Sequence, residues 1–169
     1  KAIADKVFAD EIVPVTVKHR KGETVVDTDE GPRPDTTIEG LAKLRTVFDR
    51  EGSVTAGNAS TLSDGAAALV VADESTASAA PWKFKILASH TSGTEPKDLF
   101  IAPVAAVEGA LQKAGLTKDD IDLFEINEAF ASQMVACMKE LKLDSEKVNV
   151  SGGGISLGHP LGASGARVL

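Results

Sequence analysis

The chain has 169 residues, of which 43% are hydrophobic and 25% charged, a composition typical of a globular rather than a disordered protein. Its formal net charge of −7 argues against non-specific nucleic-acid binding, which needs a clustered basic surface. No apolar run is long enough to span a membrane, so no membrane association is expected. The basic cluster at residues 18–21 is followed at once by acidic residues, and we interpret it as a solvated hairpin or loop.

The cysteine and histidine content limits the chemistry further. A single cysteine, Cys137, cannot form an internal disulfide, so we expect a reducing compartment. We predict a cytoplasmic location; a mitochondrial or peroxisomal one stays open, because a targeting segment would precede Lys1. Cysteine and histidine are too sparse for a structural zinc site, so no metal is expected.

In chain order, the apolar patterns predict alternating strands and helices. Residues 1–7 are interpreted as the tail of a helix, and a capping box of Thr36 and Glu39 predicts a helix that ends near Gly52. Residues 54–65 are predicted to be a loop, and residues 73–82 a short helix or linker. Strands are predicted at 11–17, 66–72, 83–90, 122–126 and 148–150, and further helices at 103–114 and 128–143. This order is typical of an α/β fold with mostly parallel strands and some antiparallel pairing.

The glycine-rich stretch from Ser151 to Arg167 is the strongest candidate for a functional site. It contains six glycines, three of them consecutive, around the step from His159 to Pro160. Glycine is used this densely where backbone bends sharply or approaches something closely, and histidine exchanges protons near neutral pH. The stretch lacks the third glycine of a dinucleotide loop and the lysine of a P-loop. We interpret it as an active-site loop; a structural turn with an incidental histidine remains the alternative.

Asn127 follows a predicted strand and precedes a predicted helix. It has two competing interpretations: a helix N-cap, or a ligand-facing residue at the carboxyl end of a strand. Cys137 shares one apolar helical face with Phe130 and Met134 and is predicted to be a core residue, not a nucleophile partnered with His159. The other two histidines, His19 and His90, are interpreted as incidental.

Three motifs, in this order, resemble those of the thiolases: AGNAS at 56–60, NEAFA at 127–131 and GHPLGASGAR at 158–167. The resemblance runs from EIVPV at 11–15 to the end of the chain. It implies a thiolase-like layered α/β/α fold in incomplete form. Residues 1–76 would be the end of the loop domain and the last part of the N-terminal half, and residues 77–169 the first part of the C-terminal half.

The resemblance implies acyl transfer through a cysteine acyl-enzyme, by condensation of two acetyl-CoA or by thiolysis of 3-ketoacyl-CoA in fatty acid metabolism such as β-oxidation. His159 would help activate the cysteine and donate to the thioester oxygen, Asn127 would hold a water in the same oxyanion hole, and Ser60 would bind the pantetheine arm of CoA. Arg33 matches a position near the adenine end of CoA. Further pocket-lining positions are matched by Phe48, Ala56, Leu62 and Phe130.

Coenzyme A is then a substrate, no metal or tightly bound organic cofactor is expected, and the parent enzyme is expected to be a homodimer or homotetramer. The two cysteines of the family would lie before residue 1 and after Leu169, and Cys137 matches neither, so these residues alone are expected to be inactive. Two alternatives stay open. One is another condensing enzyme of the superfamily, although many of these place histidine where Asn127 stands; the other is a non-catalytic fragment that binds CoA or an acyl group.

Overall fold

The computed structural model describes all residues from 1 to 169, with one β-hairpin in the first part of the chain and the longer helices in the second. None of the helices has the length and apolar character needed to cross a bilayer. The strands are β1 (Val15–His19) and β2 (Gly22–Val26), and the helices are α1 (Ile38–Leu41), α2 (Glu74–Ala77), α3 (Ala102–Ala114), α4 (Ala131–Leu141), α5 (Gly154–Leu157) and α6 (Ser164–Val168). Short 3₁₀ turns cover Pro96–Ile101, Lys118–Asp120 and Ser145–Lys147.

The hairpin accounts for the basic cluster near the start of the chain. β1 and β2 pair antiparallel, with His19 opposite Gly22 across a two-residue turn. The prediction that residues 18–21 form a hairpin or loop is therefore confirmed. The predicted strand at 11–17 begins only at Val15, because Pro14 directly before it has no N–H to donate to the ladder.

The packed part of the molecule lies between α3, α4 and the segments around Phe124 and Val148. α3 has a proline in its first turn and ends at Gly115 in the left-handed conformation, φ +70°, as its sequence predicts. Residues 122–126 and 148–150 do not form full strands; they meet in a single parallel bridge between Phe124 and Val148. The core here consists of Phe124, Met134 and Val148, with Val107, Ile121, Ile126, Met138 and Leu143 packed against them.

The predicted helix from Thr36 to Gly52 is wrong in length and in its cap. Only α1 forms, and its N-cap is Thr37, whose hydroxyl oxygen accepts a hydrogen bond from the N–H of Gly40 at 3.0 Å. The apolar side chains of the predicted helix have little to pack against: Ile38 is 81% exposed and Phe48 76% exposed. A short amphipathic helix depends on such packing for its stability, so the pattern does not extend into a longer helix.

Two predicted strands, residues 66–72 and 83–90, are also wrong as regular strands. Both are without a neighbouring strand, and Val70 and Phe84 are 97% and 90% exposed. A strand forms when a neighbour accepts and donates its backbone hydrogen bonds, and no other strand of these 169 residues pairs with either segment. Residues 1–7 likewise form successive turns rather than the end of a helix, with Lys6 at φ +56°.

Candidate active site

The AGNAS segment and the NEAFA segment lie side by side and are joined by their backbones. The N–H of Ala131 donates to the carbonyl of Asn58 at 2.9 Å, and the N–H of Ser60 donates to the carbonyl of Ala129 at 3.0 Å. These two bonds form an antiparallel bridge that fixes where the backbone of the NEAFA segment enters α4.

The other side of the AGNAS segment is joined to the Gly-His-Pro loop. The N–H of His159 donates to the carbonyl of Thr61 at 3.3 Å, and Leu62 forms a parallel bridge with His159. The stretch from Asn58 to Leu62 therefore contacts both of the other motifs. Three segments far apart in sequence meet at one place because this stretch has a hydrogen-bonded neighbour on each side.

The side chains of Asn127 and His159 meet at this place, with Nδ2 of Asn127 3.2 Å from Nε2 of His159. An amide nitrogen only donates, so Nε2 is the acceptor and carries no proton. The imidazole proton is then on Nδ1, which donates to the hydroxyl oxygen of Ser164 at 2.6 Å. Ser164, only 5% exposed, donates in turn to the carbonyl of Pro160 at 3.2 Å. This chain of donors and acceptors favours the tautomer in which Nε2, the nitrogen that accepts hydrogen bonds, faces Asn127.

The competing interpretation of Asn127 as a helix N-cap is not realised. α4 begins at Ala131, and Phe130 occupies the N-cap position with extended backbone, φ −141°. Asn127 lies three residues earlier, so its amide is free to reach His159. The observed helix α4 therefore begins later than the helix predicted at 128–143.

Close approach explains the glycines of the loop. A Cβ on the buried Gly154 would lie 2.9 Å from the carbonyl oxygen of Glu128 and 3.3 Å from Oδ1 of Asn127. Gly158, which precedes His159, is buried and has φ +86°, a conformation that side-chain-bearing residues rarely adopt. The glycines thus let the loop come close enough to the NEAFA segment for the histidine and the asparagine to touch.

The other predicted site residues are distributed around this contact. Ser60 is half-buried in the shared AGNAS stretch, and Leu62, next to His159 in the parallel bridge, is 91% exposed. The ring of Phe130 lies between two others, with its centroid 6.2 Å from that of Phe48 and 5.2 Å from that of Phe100 in edge-to-face geometry.

Two further predicted residues lie at the surface. Ala56 is exposed in the turn before Gly57. Arg33 is exposed and forms no ion pair; its carbonyl accepts hydrogen bonds from Thr36, outside the three motifs.

Asn127 lines an open cleft of about 560 Å³ together with His90, Phe100, Glu125 and Gln133, among others. His90, which is interpreted as incidental from the sequence, thus lies in the same cleft as Asn127. Its ring packs directly on Gly109 of α3, where there is no Cβ to obstruct it.

The carboxyl of Glu125 has a raised pKa. The largest cause is desolvation at the wall of the cleft, although the residue as a whole is exposed, and the negative charge of Glu128 adds to it. Glu125 therefore titrates above the usual range of a glutamate.

Cys137 is a core residue, as predicted. It is completely buried on α4, where its thiol donates to the carbonyl of Phe100 at 3.6 Å and its sulfur accepts from Nε2 of Gln133 at 3.7 Å. It has no contact with His159, so it does not belong to the histidine–asparagine pair.

Sequence reasoning missed three residues that hold this site together: Ser164, Glu128 and Asn149. The carboxylate of Glu128, the residue after Asn127, accepts a hydrogen bond from Nδ2 of Asn149 at 2.8 Å. One signal was visible in the sequence: Asn149 is a polar residue between two valines in a segment predicted to be a strand. A buried amide needs partners, which predicts a hydrogen-bonding role there.

Comparison with known proteins identifies the family. Residues 1–75 match the N-terminal domain of thiolases, and residues 80–169 match the C-terminal domain. A β-ketoadipyl-CoA thiolase from Acinetobacter baylyi is 54% identical over 173 residues, which cover 99% of this chain and 43% of the relative.

Solved structures show the same similarity. The crystal structure of the Bacillus anthracis acetyl-CoA acetyltransferase has a TM-score of 0.90 and 48% identity, covering 99% of this chain and 43% of the other. Human mitochondrial 3-ketoacyl-CoA thiolase in complex with CoA has a TM-score of 0.80 and 42% identity, covering 99% and 42%. The chain thus spans less than half the length of these relatives and has a thiolase-like α/β fold in incomplete form. It belongs to the thiolase family.

Proposed function

We propose that the protein carrying these residues is an acyltransferase that condenses two acetyl-CoA or cleaves 3-ketoacyl-CoA through a cysteine acyl-enzyme. The observation that supports this best is the contact between Asn127 and His159, in which a basic nitrogen and an amide donor converge at one point. Related proteins named acetyl-CoA acetyltransferase and thiolase, one of them with CoA bound, support the same class of reaction.

In this proposal His159 acts first as a base. A cysteine thiol gives its proton to Nε2, and the sulfur attacks the thioester carbonyl of the acyl-CoA. The protonated Nε2 then donates to the oxygen on which negative charge develops, and Asn127 supplies a second donor, directly or through a water. The hydrogen bond from Nδ1 to Ser164 keeps the ring oriented while it is charged. Collapse of the tetrahedral intermediate breaks the bond to the CoA sulfur, CoA leaves with the proton held on Nε2, and the acyl-enzyme remains.

A second substrate completes the proposed cycle. In thiolysis the thiol of free CoA attacks the acyl-enzyme, and in condensation the α-carbon of acetyl-CoA does so after losing a proton. A second base must take the proton of the CoA thiol or of the α-carbon, and breaking the bond between the acyl group and the cysteine sulfur then regenerates the thiolate. The nucleophile is not Cys137, because its thiol is completely buried and bonded to Phe100. We therefore propose that the nucleophile lies elsewhere in the full-length protein and that these 169 residues alone have no thiolase activity.

The substrate contacts are part of the proposal. Ser60 would bind the pantetheine arm of CoA, which its place in the shared AGNAS stretch supports. The role of Arg33 near the adenine rests on the resemblance alone. We further propose a homodimeric or homotetrameric parent enzyme without metal or tightly bound cofactor, active in the cytoplasm. Pocket-lining roles are proposed for Phe48, Ala56, Leu62 and Phe130.

The test is thiolysis of acetoacetyl-CoA by the full-length protein. His159→Ala and Asn127→Ala are expected to lower kcat by on the order of 10²-fold to 10³-fold, since each removes a donor to the developing oxyanion. His19→Ala is the control, because that histidine lies on the exposed hairpin and bonds only Thr24. A full-length protein without thiolysis or condensation, or a His159→Ala variant as active as the wild type, would contradict the proposal.

The isolated 169 residues provide a second arm. Saturable binding of CoA without turnover would assign them a binding role and leave the parent's activity to the full-length assay. Measurable thiolysis by these residues alone would contradict the placement of the nucleophile elsewhere.

A further inference from the structure

The backbone that presents Asn127 is irregular and has no regular element to hold it. The last ladder contacts before it are made by Phe124, whose N–H donates to Lys147 at 2.8 Å and whose carbonyl accepts from Asn149 at 2.9 Å. α4 begins only at Ala131. Between these points, something other than secondary structure must fix the position of Asn127.

The side chain of Asn149 fixes Ile126, the residue before Asn127. Its Oδ1 accepts from the N–H of Ile126 at 2.8 Å, and its Nδ2 donates to the carbonyl of Ile126 at 2.9 Å. Both backbone groups of Ile126 are thus satisfied by one amide, as they would be by a neighbouring strand. Asn149 has φ +46°, a left-handed conformation that asparagine tolerates better than most residues.

The residue after Asn127, Glu128, is fixed by hydrogen bonds to its own side chain. One carboxylate oxygen, Oε1, accepts from Nδ2 of Asn149 at 2.8 Å, and the other, Oε2, accepts from the N–H of Ile155 at 3.2 Å. Asn149 therefore has both its amide hydrogens and its oxygen engaged. Glu128 in turn connects the NEAFA segment to the glycine loop that carries His159.

Asn127 is consequently anchored on both sides by the same pair of residues. We propose that Asn149 and Glu128 act as a clamp: they are positioning residues that hold the Asn127 amide at hydrogen-bonding distance from His159. The inference rests on the proposed function, since it concerns the geometry of that reaction. A shift of about 1 Å at such a contact can lower the rate on the order of 10²-fold, so the clamp is expected to act on kcat.

The test uses the full-length protein and two clamp variants. Asn149→Gly removes the amide but keeps the left-handed backbone, and Glu128→Gln removes the charge but keeps the shape. Both are expected to lower kcat about 10-fold to 100-fold with KM for acetoacetyl-CoA within about twofold of the wild type. The matched controls are Lys142→Gly, another left-handed position with φ +54°, and Glu146→Gln, an exposed carboxylate. Both controls are expected to leave kcat unchanged.

A double-mutant cycle separates positioning from a merely structural role. If the clamp acts through Asn127, Glu128→Gln lowers kcat much less when Asn127 is already alanine. Equal losses in both backgrounds, or clamp variants with wild-type kcat, would overturn the clamp and leave the proposed function standing. If the full-length wild-type protein has no thiolase activity, the proposed function is overturned instead.

A crystal structure of the Asn149→Gly variant gives a readout that does not depend on turnover. The distance between Nδ2 of Asn127 and Nε2 of His159 is expected to lengthen beyond hydrogen-bonding range, or the Asn127 side chain to lose its single conformation. An unchanged 3.2 Å contact in that variant would overturn the clamp.

Discussion

Nδ1 of His159 lies 2.6 Å from the hydroxyl of Ser164, the first residue of α6. The buried hydroxyl donates a hydrogen bond to the carbonyl of Pro160, so its oxygen is oriented to accept from the ring. This relationship favours the tautomer in which Nε2, the nitrogen that faces Asn127, is basic.

Ser164→Ala is therefore expected to lower kcat about tenfold. The variant removes the only acceptor for the Nδ1 proton, and the loss of one buried hydrogen bond of about 1.4 kcal/mol corresponds to that factor. The measurement is the pH profile of kcat for thiolysis by the full-length protein. Ser145→Ala, at an exposed serine, is the control. A Ser164→Ala variant with an unaltered kcat at every pH would show that the tautomer is set by another group.

Gly154→Ala tests how closely the glycine loop must approach the NEAFA segment. The new Cβ would lie 2.9 Å from the carbonyl oxygen of Glu128 and 3.3 Å from Oδ1 of Asn127, so one side of the contact must move. We expect a loss of about 1–3 kcal/mol in the free energy of unfolding, from overpacking, and a drop in kcat of about tenfold or more.

Denaturant unfolding and thiolysis assays of the Gly154→Ala protein measure the two effects. Gly93→Ala is the matched control, because a Cβ there meets nothing within 4 Å and the residue is exposed. If Gly154→Ala and Gly93→Ala behave alike, the close approach of the loop has no consequence for the site.

The sequence predicts those features that depend on residues close to each other along the chain. Both ends of α3 follow from local sequence, because Pro103 and Gly115 act within a few residues, and the capping box of Thr117 and Asp120 is equally local. The paired loop segments were not predictable in the same way. The bonds of Asn58 to Ala131 and of Thr61 to His159 join residues whose spacing gives no periodic pattern.

The failures have the same origin. The segment around Val70 is a continuous apolar run and the segment around Phe84 alternates as a strand does, yet neither pattern supplies the neighbour that a strand requires. Asn149 shows the opposite case: its side chain replaces a strand neighbour for Ile126. Its place between two valines predicts a hydrogen-bonding role, but local propensity does not identify the partner.

The raised pKa of Glu125 leads to a prediction about its neighbour. Glu128→Gln removes the nearby negative charge, so the pKa of Glu125 is expected to fall, but not to its ordinary value, because desolvation, the larger cause, remains. Carboxyl ¹³C NMR titration of Glu125 in the full-length protein measures this. Glu74→Gln, at an exposed glutamate on α2, is expected to leave it unchanged.

The sign of the effect on stability follows from the direction of the shift. Because the folded pKa is above the unfolded one, the contribution of Glu125 to stability is fully present below the unfolded pKa and is lost as pH rises through the folded pKa. Glu125→Gln should abolish this part of the pH dependence of unfolding. A pKa of Glu125 that is unaffected by Glu128→Gln, and by added salt, would contradict the electrostatic contribution.

Cys137→Ala tests whether this thiol has any part in catalysis. Its sulfur is completely buried and bonded to Phe100 and Gln133, so we expect kcat to remain at the wild-type value. The free energy of unfolding should fall by about 1 kcal/mol, from the lost packing of a small buried side chain. Thiolysis assays and denaturant unfolding of the full-length protein measure both. Alkylation mapped by mass spectrometry is expected to modify Cys137 only after unfolding, because the folded protein excludes the reagent from the core. Loss of thiolysis in a Cys137→Ala protein that still unfolds cooperatively, or rapid alkylation of Cys137 in the native state, would make this cysteine the reacting group and would move the catalytic centre from His159 and Asn127 to α4.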